Sequence, residues 1–546
     1  MPEFSTKVLF YGLIIVSLII TPWFNLDAVS LPKFVSLSAL GFVCWALILM
    51  NLKLLSTSQN RTRSIIVFSL VFWLIIVSLL SNKSNLLELY GTQGRNTGLL
   101  TYLSLAGIFL LTSINSDTTL AKKILKALSI VGMVTLIYGY LQYFEIDPFP
   151  WNNPYSPIVG TFGNPNFTSS FLGFFCILVF SKLLQGRSKP RFFDLFLLLI
   201  AVFLIYKSDS IQGLFVAGIG IIVLTILFTW KIVKKPLLAI SFVIVTVTTS
   251  VLFALGVLGR GPLALILSQG TITFRQDYWS AGWKMFLSNP ISGLGMDSYG
   301  DWYREFRSME ATNRRGPEVV TDSAHNVFID LLVSGGIPLF ALYCLLLALV
   351  IKSIIRITKD AREFDVAQSA LIAIWVGHLA QSFFSINQIG LAAWFWSISG
   401  ALIAATLKRD LPTNHKFKTE TLHLPAKEFV IVTCAAILAL AASLPPMIKD
   451  HRYIQALNSK EVSEINLVTR AFPKDEYFYN RTALLYKDNN LFDELLPLVR
   501  ESVTLFPRNY WGWKLISENS KVTDSELARA VAMLKRLDPH NPNNPK

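Results

Sequence analysis

Residues 213–230 read GLFVAGIGIIVLTILFTW; KIVKK follows at 231–235, and PLLAISFVIVTVTTSVLFALGV at 236–257. Neither apolar run holds a charged residue, and each is long enough as an α-helix to cross a hydrocarbon core. The three lysines between them predict a short basic turn joining two antiparallel membrane helices. After the second run the chain turns polar from Gly259 to Asn326, before another apolar run opens at 327. This alternation decides the fold class: an all-α, polytopic integral membrane protein.

The same reading outward predicts thirteen spans, at roughly 8–24, 34–51, 64–81, 98–114, 124–144, 166–184, 192–206, 213–230, 236–257, 327–351, 366–385, 388–407 and 428–445. Composition agrees: of 546 residues, 53% are hydrophobic, and mean hydropathy is +0.50, beyond ordinary soluble domains. The net charge of +14 gathers in alternate loops, such as Lys53, Arg61 and Arg63, or Lys231, Lys234 and Lys235. The intervening loops hold few cations, among them Lys33, Lys83, Arg95 and Lys207. The excess charge is therefore a topology signal, which excludes a nucleic-acid partner. It predicts a multi-pass membrane protein with its N-terminus in the cytoplasm and both the 259–326 loop and the C-terminal tail outside. The first span is read as a retained anchor. Cys44, Cys176, Cys344 and Cys434 all fall inside predicted spans, which argues against disulfides and a cysteine metal site.

Four regions follow: N-terminal membrane helices (1–257), a long extracytoplasmic loop (258–326), C-terminal membrane helices (327–445) and a soluble helical tail (446–546). In the tail, Phe472-Pro473 recurs as Phe506-Pro507, and 507 − 473 gives a 34-residue period, the spacing of tetratricopeptide hairpins. Tyr477, Ala483, Leu484, Phe492 and Leu495 are its expected core positions. Such a tail suits docking to an envelope protein better than catalysis.

The loop carries the chemistry. It holds Arg260, Arg275, Arg304, Arg307, Arg314 and Arg315, and closes on T-D-S-A-H-N, Thr321 to Asn326. Thr273-Phe-Arg-Gln276 has the spacing of a capping box. The following helix places Phe274, Tyr278, Ala281 and Met285 on one stripe, which predicts a helix lying on the outer leaflet. His325 is expected in the first turn of the next helix with Asp322 as its N-cap. A helix N-terminus there favours neutral imidazole, the form that accepts a proton. Two further outer loops stand out. Tyr90-Gly-Thr-Gln-Gly-Arg-Asn-Thr-Gly98 carries Arg95 among glycines, and Gly160-Thr-Phe-Gly-Asn-Pro-Asn166 offers Asn164 and Asn166. Asp209, Ser210 and Gln212 lie at another outer turn; His378, inside a span, is left out of the site. Neither zinc-ligand spacing nor a Walker or Rossmann glycine pattern occurs.

Taken in order, these residues resemble the bacterial O-antigen ligase and polymerase family of membrane glycosyltransferases. The resemblance runs over Arg95 with its glycines, G-T-F-G-N-P-N, F-R-x-x-x-W from Phe274, G-L-G at 293–295 and D-x-A-H-N at 322–326. Gly335-Gly336-Ile completes it, within residues 85–400. The resemblance implies a donor glycan on undecaprenyl diphosphate and an acceptor glycan, lipid or protein at the outer face of the membrane. It also implies a location in the bacterial cytoplasmic (inner) membrane and a reaction without metal or other cofactor, and the main expectation is an inverting glycosyltransferase. By position, His325 would be the general base, supported by Asp322. Arg95 and Arg275 would hold the diphosphate, with Asn164, Asn166, Asn326 and Gln212 as weaker glycan or acceptor contacts. Ser323 stands where many relatives have arginine, so the second phosphate contact stays open, with Arg314 or Arg315 as substitutes. Two other classes remain open: a transporter or flippase of lipid-linked glycans, and an envelope scaffold acting through the tail. Ligase and polymerase share a donor and are not separable from sequence.

Overall fold

The computed structural model describes residues 2–81, 85–149, 158–185, 192–257, 271–360, 363–407 and 426–545. Among them there is no strand; the chain is helical, and it is a polytopic membrane protein. In chain order the membrane helices are α1 (Pro2–Leu18), α2 (Ser30–Leu49), the short α3 (Leu52–Leu55), α4 (Arg61–Leu80), the short α5 (Asn85–Tyr90), α6 (Leu99–Ser113) and α7 (Leu120–Tyr143). They continue as α8 (Pro165–Leu183), α9 (Phe192–Lys207), α10 (Gln212–Phe228) and α11 (Pro236–Val257). The loop contributes α12 (Thr271–Ser288), α13 (Tyr299–Phe306) and α14 (Met309–Arg315). The bundle resumes with α15 (Val327–Asp360), α16 (Val366–Gln381), α17 (Ile389–Ala404) and α18 (Ala426–Ser459). Seven of these helices are long and apolar enough to cross a membrane, and shorter apolar helices pack among them.

The first helix begins and ends earlier than its hydropathy predicts. Its C-terminal carbonyls are taken by Lys33 of α2, whose Nζ donates to Val16 O (3.1 Å), Ser17 O (2.6 Å) and Ile19 O (3.1 Å). A cation on orphan carbonyls at a helix C-terminus stabilises the stop there. Lys33 is thus fully buried rather than a loop charge, and Arg63, read as a loop residue, is buried in the first turn of α4. No disulfide forms among the four cysteines, and Cys434 is exposed on α18.

Membrane helix α15 breaks at Gly335 and Gly336, both outside helical backbone geometry. The break receives the 290–295 turn of the loop. Val333 O accepts from Leu294 N (2.7 Å), Ser334 O from Gly295 N (3.1 Å), and Ile337 N donates to Pro290 O (2.8 Å). Gly336 has φ +65°, and a Cβ there would lie 2.2 Å from Ile291 O, so only glycine fits. The interrupted helix is a socket for the loop.

The stripe on α12 is turned inward, correcting the expectation of a helix lying in lipid. Tyr278, Ala281 and Met285 form a small core with Leu294, Tyr299, Tyr303, Ala324 and Val333. The loop brings its own apolar partners, α13 and the 321–326 segment, and these compete with lipid for the same face. Helix α12 also starts at Thr271, before the expected cap, and the Thr273 side chain lies outside the described residues.

The tail starts without a break, because α18 runs through Pro445-Pro446 to Ser459. It then folds into α19 (Val462–Arg470), α20 (Glu476–Asp488), α21 (Phe492–Leu505), α22 (Tyr510–Ser517) and α23 (Asp524–Leu537). Helix starts at 476 and 510 are 34 residues apart, and those at 492 and 524 are 32 apart. The core uses Phe478, Tyr479, Ala483, Tyr486 and Leu495, whereas Tyr477, Leu484 and Phe492 are exposed. In the aromatic run Tyr477-Phe478-Tyr479 any of the three could face inward by periodicity; packing against Tyr453 and Phe506 selects the latter two.

Candidate functional site

The connections α1–α2, α5–α6, α7–α8, α9–α10 and α16–α17 emerge at the end of the bundle that carries the loop and the tail. Together they enclose a cavity of about 910 Å³. His325, Asp322, Arg95, Arg275, Asn164, Asn166 and Gln212 all line it. Asn326 does not: its Oδ1 accepts from Phe328 N (3.0 Å) and Ile329 N (3.2 Å), which makes it the cap of α15.

His325 therefore sits before the helix rather than in its first turn, and Asp322 is not the cap. The histidine takes a left-handed backbone, φ 51°, uncommon outside glycine and costing on the order of 1–3 kcal/mol. The segment around it holds that conformation in place. Ala324 N donates to Asp330 Oδ1 (2.8 Å), Thr321 Oγ1 donates to Ser323 O (2.9 Å), and Val327 N donates to Ser382 O (2.9 Å). The imidazole stacks on Tyr278, ring centres 5.6 Å apart at 27°. Burial lowers its pKa to about 4, with Arg275, Arg95 and Arg315 adding to the effect and Asp322 opposing it. At neutral pH the ring is an uncharged proton acceptor.

Arg95 is tightly bound within the protein. Its Nη1 donates to Asp322 O (2.5 Å) and lies 3.8 Å from Asp322 Oδ1, while Nε is 3.5 Å from Asp297 Oδ1. Burial opposes the charge, but Asp297, Asp322 and Asp330 outweigh it and push the guanidinium pKa up. Asp297 also accepts from the amides of Thr92 (2.8 Å) and Thr97 (3.3 Å), which knits the Arg95 loop to the loop after Gly295.

The other loop arginines divide sharply. Arg304 and Arg307 are consumed by the tail: Asp538, fully buried, takes Arg307 Nη2 at 2.6 Å and Arg304 Nη1 at 3.0 Å. Arg314 pairs with Asp277 at 2.7 Å. Arg260 lies outside the described residues. Arg275 and Arg315 face the cavity, and among the described residues neither has a carboxylate at ion-pair distance. Arg315 stacks on Phe274 at 4.2 Å and lies 5.5 Å from the Tyr278 ring centre. Burial lowers the pKa of both, so an anion there would meet poorly solvated cations that gain by pairing.

The rest of the wall offers neutral hydrogen-bonding groups. Asn164 caps α8 by accepting from Asn166 N (2.9 Å), and Asn166 Oδ1 accepts from Ser210 Oγ (2.8 Å). Gln212 Oε1 accepts from Gln381 Nε2 (3.0 Å), a polar link into the bundle interior. Buried His378 packs between Phe174 and Phe395, apart from the cavity. Sequence reasoning missed Asp27, whose carboxyl accepts from Val29 N (3.2 Å) and Ser30 N (2.7 Å) in the turn that enters α2 and whose pKa burial raises to about 6. It also missed Ser385 to Ile389 and the tail residues Ile454, Leu457 and Asn458, all in the lining. The polar S-I-N-Q interruption between two apolar runs was a usable signal; nothing local marked the tail residues.

Residues 195–344 match a family model described as O-antigen ligase. The matched segment runs from α9 into α15 and carries Gln212, Arg275, Arg315, Asp322 and His325; Arg95, Asn164 and Asn166 lie before it. No curated protein matches the chain. The match supports a membrane protein of the glycan-transferring ligase type.

Proposed function

We propose that this protein is an inverting glycosyltransferase that moves a glycan from undecaprenyl diphosphate to an acceptor hydroxyl at the outer face of the cytoplasmic membrane. The observation that carries the reading is a single cavity in which a neutral, half-buried imidazole shares the wall with Arg275 and Arg315. His325 takes the proton from the acceptor hydroxyl as its oxygen attacks the anomeric carbon. The anomeric carbon–oxygen bond to the diphosphate breaks on the opposite face, and the departing lipid diphosphate carries the charge away. Arg275 and Arg315 stabilise that charge. Arg95 adds positive potential, and its hydrogen bond to Asp322 O orients the segment that presents His325. Asp322, 53% exposed at the rim, offsets part of the arginine field on the imidazole. Asn164, Asn166 and Gln212 meet sugar hydroxyls, while Asn326 acts by capping α15. The tail, tetratricopeptide-like in helix spacing, docks an envelope partner.

Purified protein given undecaprenyl-diphosphate glycan and acceptor should form a new glycosidic bond. A product ladder identifies a polymerase, and a single transfer to a foreign acceptor identifies a ligase. Movement of labelled lipid-linked glycan across a vesicle membrane without bond formation would replace this reading with a flippase.

A further inference from the structure

We propose that the C-terminal tail supplies a glycan-binding wall of the cavity: one face of α18, with Asn458 as its hydrogen-bonding group. The inference rests on the glycan-transfer reading and names the part of the substrate met there. Ile454, Leu457 and Asn458 stand at i, i+3 and i+4, so they share a helix face, and all three line the cavity. Two aliphatic side chains suit the C–H face of a sugar ring, and a carboxamide both donates to and accepts from its hydroxyls. Asn458 is exposed, and among the described residues its amide has no hydrogen-bond partner. No cation on α18 joins this lining, so the wall is neutral while the loop wall is cationic. One side fits sugar, the other diphosphate.

The wall is held in place from two directions. Near its base, Asp450 accepts from Leu26 N (2.6 Å) and from Gln93 Nε2 (3.1 Å), and Asn25 Nδ2 donates to Met447 O (3.0 Å). These bonds fasten α18 to the α1–α2 connection and to the loop that carries Arg95. Beyond α23, Asp538 holds Arg304 and Arg307 of the loop that leads to His325. The tail therefore bridges the cavity rim and presents Asn458 on a rigid element, the condition for a specific polar contact.

The test uses the full chain in detergent with two probes: undecaprenyl diphosphate bearing no sugar, and the oligosaccharide released by mild acid from the source cell's lipid-linked glycan. Asn458→Leu keeps the number and branching of the side-chain heavy atoms and removes the amide. The oligosaccharide Kd should rise about fivefold, as for loss of one neutral hydrogen bond, with undecaprenyl diphosphate binding unchanged. Unchanged oligosaccharide binding, equal weakening of both probes, or a wild-type protein that does not take the oligosaccharide would overturn the wall. Wild-type protein that binds the oligosaccharide but not undecaprenyl diphosphate would instead refute the donor reading and leave the wall standing.

Discussion

Asp538→Asn tests whether tail and loop act as one body. The carboxylate is fully buried and takes Arg307 through two bonds, Nη2 to Oδ2 at 2.6 Å and Nε to Oδ1 at 3.2 Å. It also takes Arg304 Nη1 at 3.0 Å and Asn541 Nδ2 at 3.1 Å. The amide keeps the shape but removes the charge, and turns N–H groups toward two guanidinium groups. Breaking a buried pair by removing one partner costs about 3–5 kcal/mol. The lower end applies here, because Arg304 retains Glu318 at 3.6 Å and the Tyr510 ring at 4.2 Å. A loss of about 3 kcal/mol raises the population of separated tail and loop roughly 150-fold. Hydrogen exchange in detergent should show amides of residues 299–320 and 524–541 exchanging faster by that order. Asp493→Asn, which breaks an exposed pair with Lys521, should leave exchange unchanged. Equal exchange at both segments in wild type and Asp538→Asn would refute the claim that this ion pair joins them.

Three further outcomes follow from the site. Arg275→Ala should raise the donor KM roughly tenfold to a hundredfold, the loss of a charge-assisted contact; a donor KM that does not move removes it from the diphosphate site. Gly336→Ala should destabilise the fold by about 2 kcal/mol or more, from left-handed backbone plus the clash with Ile291 O, and so lower the thermal unfolding midpoint; an unshifted midpoint would refute the socket. His325 is protonated only below about pH 4 in the folded protein, whereas unfolded histidine titrates near its ordinary value of about 6.5. Its base form, and kcat/KM with it, should persist through pH 5 and fall as pH drops through about 4, since this ratio reports the free enzyme. Its linked stability decreases as pH falls from 6.5 toward 4, where only the unfolded state gains the proton. An acid limb centred near 6.5 would contradict the lowered pKa of this imidazole.

What was legible in the sequence is what short-range physics controls. Hydropathy found the membrane helices, and the span read from 166 opens as α8 one residue earlier, at Pro165 behind the Asn164 cap, a start that cap and proline fix within one turn. The cap beside His325 slipped by four residues, from Asp322 to Asn326: both are good cap residues, and a positive φ at histidine has no local signature. Lys33 and Arg63 were counted as loop charges because sequence does not show that backbone carbonyls fifty residues or fewer away receive them. Arg304 and Arg307 looked like anion forks. Their partner, Asp538, lies more than 230 residues on, beyond any periodicity argument. The cavity lining was legible where a polar motif interrupted apolar sequence, and illegible where the tail folds back to complete it.

The central claim is that His325 removes the acceptor proton. The direct measurement is single-turnover transfer by purified His325→Ala, with undecaprenyl diphosphate binding measured on the same sample. Transfer should fall by roughly 10²–10⁴, the usual contribution of a positioned base, while the lipid diphosphate still binds through the arginines. Transfer at the wild-type rate by correctly folded His325→Ala would contradict the account.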